Sequence, residues 1–396
     1  MPPTTLPFGR GFTAPRELTF PPTRGCLAGG PRPARSCSGR RKGSGKGFAS
    51  VTTAGGLIYT AGNLGDRTVI SAIYLDGRIR WQKPNGKAWT GDVEGTRGTP
   101  TIDGDRVYHE SPLGRIVCLG AESGEPIWDR NILDEFDGEN IQWALAESLL
   151  VDGDRVICCP GGKKASVAAL DKMTGKTVWT TPSTGEKTSY ASATLAEYQG
   201  LRMILTMNAK ALIGVSADTG DLLFRHEHIT EYDVNALQPI FHDGHVFISS
   251  GYGSGSELLK LGRSGGKVTV KKVWESKQLD NHHGGVILLD GYLYGACHNN
   301  NNAKWVCLDW KTGELKYAER GVGKGSVTCA EGMLYVLSEK EQVGLVKATP
   351  TGHDVISQFK IPPGGEGPSW AHPVVCGGRL YLRYADRLFA YNVRKE

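Results

Sequence analysis

The sequence has no run of 18 or more apolar residues, which argues against a transmembrane helix. It has nine cysteines, an odd number with no CxxC pair, so neither a disulfide framework nor a zinc ribbon is indicated. A nucleophile elbow, a Walker loop and a dinucleotide fingerprint are all missing. Gly251 to Gly255 is glycine-rich but lacks the following helix that a phosphate site needs. No helix of useful length is signalled. A concentrated basic face is also lacking. The formal charge of +5 comes from residues 1–47, which hold nine Lys/Arg against the single acid Glu17 and carry +8. The remainder is weakly acidic, at −3, and a nucleic-acid partner is not expected.

What is abundant is glycine, at 54 residues, with aromatic and β-branched residues spread evenly. That mixture favours strands joined by tight turns. A turn glycine followed by an apolar strand recurs at Gly56, Gly104, Gly153, Gly200, Gly244, Gly291, Gly332 and Gly378. The spacings are 48, 49, 47, 44, 47, 41 and 46 residues. Eight copies at a near-constant period define a repeat architecture.

A second anchor follows within each unit, cleanest as Ala-Leu-Asp-x-x-Thr-Gly-x-x-x-Trp from Ala169 to Trp179. The Asp or Thr can satisfy turn donors, and the Gly supplies positive φ. The aromatic four residues later falls on the outer strand. Trp81, Trp128, Trp179, Phe224, Trp274, Tyr317 and Phe359 hold this position and are expected to dock one unit on the next. The predicted fold is all-β: an eight-bladed β-propeller of four-stranded antiparallel blades over residues 48–396. Residues 1–47, with eight prolines and nine glycines, read as an irregular basic segment. The last unit ends at its third strand, Phe389 to Val393, so an N-terminal strand must complete it. Arg35 to Lys42 shows no apolar alternation and no tryptophan. Glu17 to Phe20 is the better sequence candidate, and the closure is expected to be weak.

The Ala-Leu-Asp-x-x-Thr-Gly-x-x-x-Trp turn resembles the repeat of the pyrroloquinoline-quinone (PQQ) propeller family over roughly 48–393. Gly251 to Gly255, Asn281 to Gly285 and Gly321 to Ser326 look most like its uncharacterised, planctomycete-type bacterial members. The outer-membrane assembly lipoprotein BamB and the quinoprotein alcohol dehydrogenases are more distant. The resemblance implies a periplasmic or exported protein, although residues 1–47 lack the apolar core of a secretion signal. It implies either a binding or scaffold module or a quinone-dependent alcohol or sugar dehydrogenase. The second would need PQQ with Ca²⁺, oxygen ligands and a carboxylate base. Glu147 with Asn235 or Asn281 could be ligands, and Asp280 or Asp233 the base.

The approach strands begin near the central channel, and their starts concentrate polar and aromatic groups. Arg97, Glu147, Tyr190, Asn235, His282, His283, Lys324, Trp370 and His372 are the candidate ligand-binding residues at the channel mouth. Trp143 and Ser189 lie nearby. A protein or small-molecule ligand is expected there, on a monomeric ring. Cys158 and Cys159 match the adjacent cysteines that quinoprotein dehydrogenases bridge. Here they fall in a strand, where neighbours face opposite ways, and read as structural thiols. Adjacent His282 and His283 point apart if extended, so no metal site is expected from them and His298 or His372.

Overall fold

The computed structural model describes residues 39–264, 267–299 and 302–394. These form eight four-stranded antiparallel sheets arranged as an eight-bladed propeller. Seven blades are simple meanders: 52–87, 101–131, 150–180, 194–227, 240–276, 281–319 and 325–360. The eighth spans Val374–Asn392 and takes its fourth strand from Gly39–Lys42.

The turn chemistry follows from the repeat. Asp171 Oδ1 accepts from the Met173 and Thr174 amides at 3.1 and 2.8 Å, and Asp309 does the same for Lys311 and Thr312. The glycine that follows does two jobs. At Gly124, Gly175, Gly220 and Gly313 the backbone is left-handed. A Cβ at any of the four would also sit 2.6–2.7 Å from the ring of Trp81, Trp128, Trp179 or Trp274 in the preceding blade. Each indole therefore lies flat on the next blade's bare turn and donates to a carbonyl there. The acceptors are Ala121, Lys172, Ala217 and Trp310, at 2.9–3.2 Å. Phe224 packs into a cluster with Val246, Leu259 and Leu261 of the next blade. Tyr317 joins Val327 and Leu334, and Phe359 meets Tyr391 at 4.8 Å.

At the channel a second zipper joins the blades. The Ser50 amide donates to Thr99 Oγ1, the Thr99 amide to Ser148 Oγ and the Ser148 amide to Ser192 Oγ, at 2.9–3.0 Å. Thr52, Thr101 and Thr194 hydroxyls donate to the Pro100, Leu149 and Pro239 carbonyls. Innermost strands here have too few ladder partners, and short hydroxyl side chains supply the missing bonds. This accounts for the Ser/Thr-rich approach strands.

The ring closure corrects the sequence expectation. Gly39–Lys42 pairs residue by residue with Arg387–Ala390, despite its lack of alternation. An outermost edge strand is held by backbone bonds on one side and tolerates charge, so it needs no apolar face. Glu17 to Phe20 lies outside the described residues. Arg383 replaces much of the missing apolar docking. Fully buried in the last blade, it donates to the carbonyls of Gly45, Ala49 and Ala61, at 2.5–3.1 Å, and to the Thr60 hydroxyl. The Leu75 carbonyl occupies the place that takes an indole elsewhere, and Arg379 Nη1 reaches it at 2.9 Å. Residues 44–47 are also built in: Ser44 bonds the Asp386 carbonyl and Lys46 pairs with Asn63. A five-residue helix, Ile132–Phe136, is capped by Asn131 and is the one α-helix among the described residues.

Candidate functional site at the channel mouth

The channel encloses a cavity of about 1200 Å³. One inner strand lines it from His282 to Leu289, roughly 20 Å of rise. Arg97, Tyr190, His282, His283, Lys324, Trp370 and His372 all line this space, with Trp143 beside them. Glu147 and Asn235 do not line it. Glu147 is buried behind the wall and accepts from the Cys159 amide at 2.9 Å and the Cys159 thiol at 3.3 Å. Asn235 is fully buried, donates to the Asn208 and Ala209 carbonyls and accepts from the Ser250 hydroxyl at 2.6 Å.

The side chains at the mouth form a belt, all but Tyr232 lining the cavity. The Arg97 guanidinium sits 5.5 Å from the Phe48 ring, and Phe48 meets Trp370 at 4.8 Å. Trp370 contacts His283 at 4.7 Å, and His283 contacts His282 at 4.4 Å. His282 meets Tyr252 at 5.2 Å and Tyr252 meets Tyr232 at 5.4 Å. Tyr232 reaches Trp143 at 6.3 Å, and Trp143 reaches Tyr190 at 6.1 Å. The Tyr190 hydroxyl is close enough for its charge to bear on Arg97.

His282 and His283 do not point apart. Residues 282–285 fall out of register between the Asn281–Cys297 and Val286–Gly295 pairs, a bulge that includes left-handed Gly285. The irregularity turns both imidazoles into the cavity. The mouth loops carry further left-handed backbone at Val93, Ala144, Tyr232, Asp233 and Tyr252. At Val93 this is a strained position for a β-branched residue. Its carbonyl accepts from Arg97 Nη2 at 2.7 Å, and the Gly95 carbonyl accepts from Nη1 at 2.8 Å.

A polar relay runs along one wall. Lys324 Nζ lies 3.0 Å from Glu339 Oε1 and 3.4 Å from His282 Nδ1. An ammonium can only donate, so Nδ1 is the acceptor and the His282 proton resides on Nε2. Nε2 is 3.3 Å from the Tyr252 hydroxyl, which must accept and keeps its own hydrogen for the cavity. Glu339 Oε1 also accepts from the Trp370 indole at 2.9 Å and lies 3.5 Å from His283 Nε2. Burial would raise the Glu339 carboxyl, but His283 and Lys324 outweigh it and hold it at about 2. Burial, with the neighbouring cations, pushes His282 far below the usual imidazole range and lowers His283, so both are neutral. Burial also lowers the Arg97 guanidinium to about 10, with only the Tyr190 hydroxyl opposing.

The oxygen donors suggested for Ca²⁺ do not converge. Glu147 and Asn235 are consumed as above. Asp280 accepts from the Gly253 and His298 amides, and Asn281 donates to the Gly285 and Ala296 carbonyls. Asp233 belongs to a different loop, where its carbonyl accepts from Ser189. These residues do not fit a shared cation beside a quinone, and among the described residues no three His, Cys, Asp or Glu side chains cluster as metal ligands. Cys158 and Cys159 are buried free thiols with separate partners.

Sequence reasoning missed Phe48, Tyr232, Tyr252 and Glu339. Tyr252 sits inside Gly-Tyr-Gly-Ser-Gly, where an aromatic among glycines marks a shaped loop. Nothing local separates Glu339 from Glu341.

Eight four-stranded blades, the Asp-x-x-Thr-Gly turn and the docked indoles define a PQQ-repeat propeller. A model of the family described as outer membrane protein assembly factor BamB matches residues 65–317, and the chain belongs to that family. BamB from Moraxella catarrhalis superimposes with a TM-score of 0.59 at 16% identity, over 86% of this chain and 93% of that one. A europium-containing methanol dehydrogenase gives 0.61 at 12% identity, over 86% and 83%. The quinohemoprotein alcohol dehydrogenase ADH IIB of Pseudomonas putida is 28% identical over 152 residues, 35% of this chain and 22% of that enzyme. The aligned part thus spans about a fifth of the enzyme's length. The structural likenesses show the fold alone. Among the described residues no helix is long and apolar enough to cross a membrane.

Proposed function

We propose that this propeller is a monomeric binding module whose channel mouth takes a ligand, either a small molecule or a segment of a partner protein. The observation that supports this is the belt from Arg97 to Tyr190 around a cavity of about 1200 Å³. Ordinary small-molecule pockets measure about 300–1,000 Å³ and combine apolar walls with a few placed polar groups. This mouth has that composition. Its polar groups are held by a relay and by strained loop carbonyls, an outlay of backbone energy that core packing alone does not call for.

The competing reading is a PQQ-dependent alcohol or sugar dehydrogenase. The partial likeness to ADH IIB favours it, and the scattered oxygen donors argue against it. One experiment separates the two. The full chain is mixed with PQQ and Ca²⁺, and bound-quinone absorbance and dye reduction with an alcohol and sugar panel are recorded. The binding-module reading expects neither a Ca²⁺-dependent quinone band nor dye reduction. A stoichiometric, active complex would overturn it.

A further inference from the structure

The mouth holds several hydrogen-bond donors that the protein itself does not use up. Among the described residues Arg97 makes no ion pair: its partners are the Gly95 and Val93 carbonyls, and Phe48 covers one side. The Tyr190 hydroxyl accepts from the Trp143 amide at 3.3 Å, so its hydrogen is also unspent. The Tyr252 hydrogen is freed by the His282 tautomer that Lys324 imposes. Of the carboxylates at the mouth, Glu339 is already shared by Lys324 and Trp370, and Glu231, whose charge reaches Tyr252, is engaged by the Tyr232 hydroxyl. A half-buried guanidinium without a carboxylate bears a desolvation cost that an arriving anion relieves.

The ring geometry narrows the anion's body. Neighbouring planes are tilted at 39° for Phe48–Trp370 and 51° for His283–Trp370, then 81° for His282–Tyr252 and 77° for Trp143–Tyr232. Aromatic rings pair either offset-stacked or edge-to-face, and none of these neighbouring pairs makes a parallel slot for a stacked flat ligand. A faceted wall of ring faces and hydroxyls suits a puckered ring with C–H patches and several oxygens.

Resting on the binding reading above, we infer that the mouth recognises an acidic saccharide, with Arg97 taking the carboxylate of a uronate ring and Tyr190 and Tyr252 donating to its hydroxyl oxygens.

Tryptophan fluorescence and calorimetry of the full chain would be followed with trigalacturonate, its neutral methyl ester and benzoate as probes. Trigalacturonate is expected to bind, with the ester about tenfold or more weaker and benzoate weaker still. Arg97→Gln should remove the preference for the acid over the ester, while Arg97→Lys, which keeps charge but loses the fork, should retain part of it. Tyr252→Phe should weaken both sugars alike. Equal binding of acid and ester, an unchanged preference in Arg97→Gln with its melting temperature intact, or no response to trigalacturonate would each overturn the inference. Benzoate or ester binding at the mouth without trigalacturonate would sink the ligand class and leave the binding site standing. Should Arg97→Gln fail to fold, the Arg97→Lys and Tyr252→Phe comparisons still decide.

Discussion

Arg383 Nη2 donates to the Gly45 carbonyl at 2.7 Å, tying the last complete strand pair to the segment that enters the first blade. The same buried guanidinium serves Ala49, Thr60 and Ala61. The apolar cluster at this seam is small, with five buried members: Val51, Ile58, Ile73, Tyr381 and Leu388. Arg383→Met should therefore cost about 3 kcal/mol or more, because it strands buried carbonyls as well as losing charged bonds. Chemical denaturation measures the loss. Hydrogen exchange should show the amides pairing Gly39–Lys42 with Arg387–Ala390 opening before those of any other blade. Equal protection across all eight blades would contradict a weak seam.

The turn glycines beneath the indoles give a graded test. Gly124→Ala puts a Cβ 2.7 Å from Trp81 at φ 69° and should cost about 2–4 kcal/mol. Gly104→Ala, at φ 58° with open space around it, should cost only about 1–2 kcal/mol. Thermal unfolding of the two variants side by side reads the difference. Equal losses would mean that indole docking is not the reason for the glycine.

How much was legible is clear at these positions. The period, the turn and the docking aromatics are local patterns repeated seven or eight times, so the sequence carried the blades. The closing strand Gly39–Lys42 left no mark because an edge strand is held by its backbone. Of the nine residues read from the sequence as polar or aromatic starts of approach strands, seven line the cavity. Glu147 and Asn235 share that position but turn behind the wall, a choice made by partners such as Cys159 and Ser250, distant in sequence. Phe48, Tyr252 and Glu339 come from a strand start, a glycine loop and a turn that only the closed ring brings together.

His353 gives a pH prediction. It is buried and stacked on Trp305 at 5.2 Å, its ring nitrogens have no hydrogen-bond partner among the described residues, and burial lowers it to about 4. The unfolded imidazole takes a proton below about pH 6.5, whereas the folded one resists until about pH 4. Stability is thus lost as pH falls through that window, by roughly 3 kcal/mol for this residue. His353→Phe should keep the stack and flatten the acid slope in denaturation curves from pH 7 to 4. An unchanged slope would place the acid sensitivity elsewhere.

Lys324 is expected to govern the relay. In Lys324→Met the Glu339 carboxyl loses its ammonium and should titrate upward from about 2, visible by carboxyl NMR. In the native protein the stability held by the depressed Glu339 is lost as pH falls from about 4.5 toward 2, and the variant should lose less of it there. A Glu339 that titrates identically in both proteins would show that the 3.0 Å contact carries no charge coupling.

The most direct measurement is differential hydrogen exchange of the full chain with and without trigalacturonate. The account expects new protection confined to the mouth: Val93–Arg97, Trp143, Tyr190, Tyr252, His282–His283 and Trp370–His372. Protection on the outer strands around Trp128, Trp179 or Trp274, with the mouth unchanged, would contradict it.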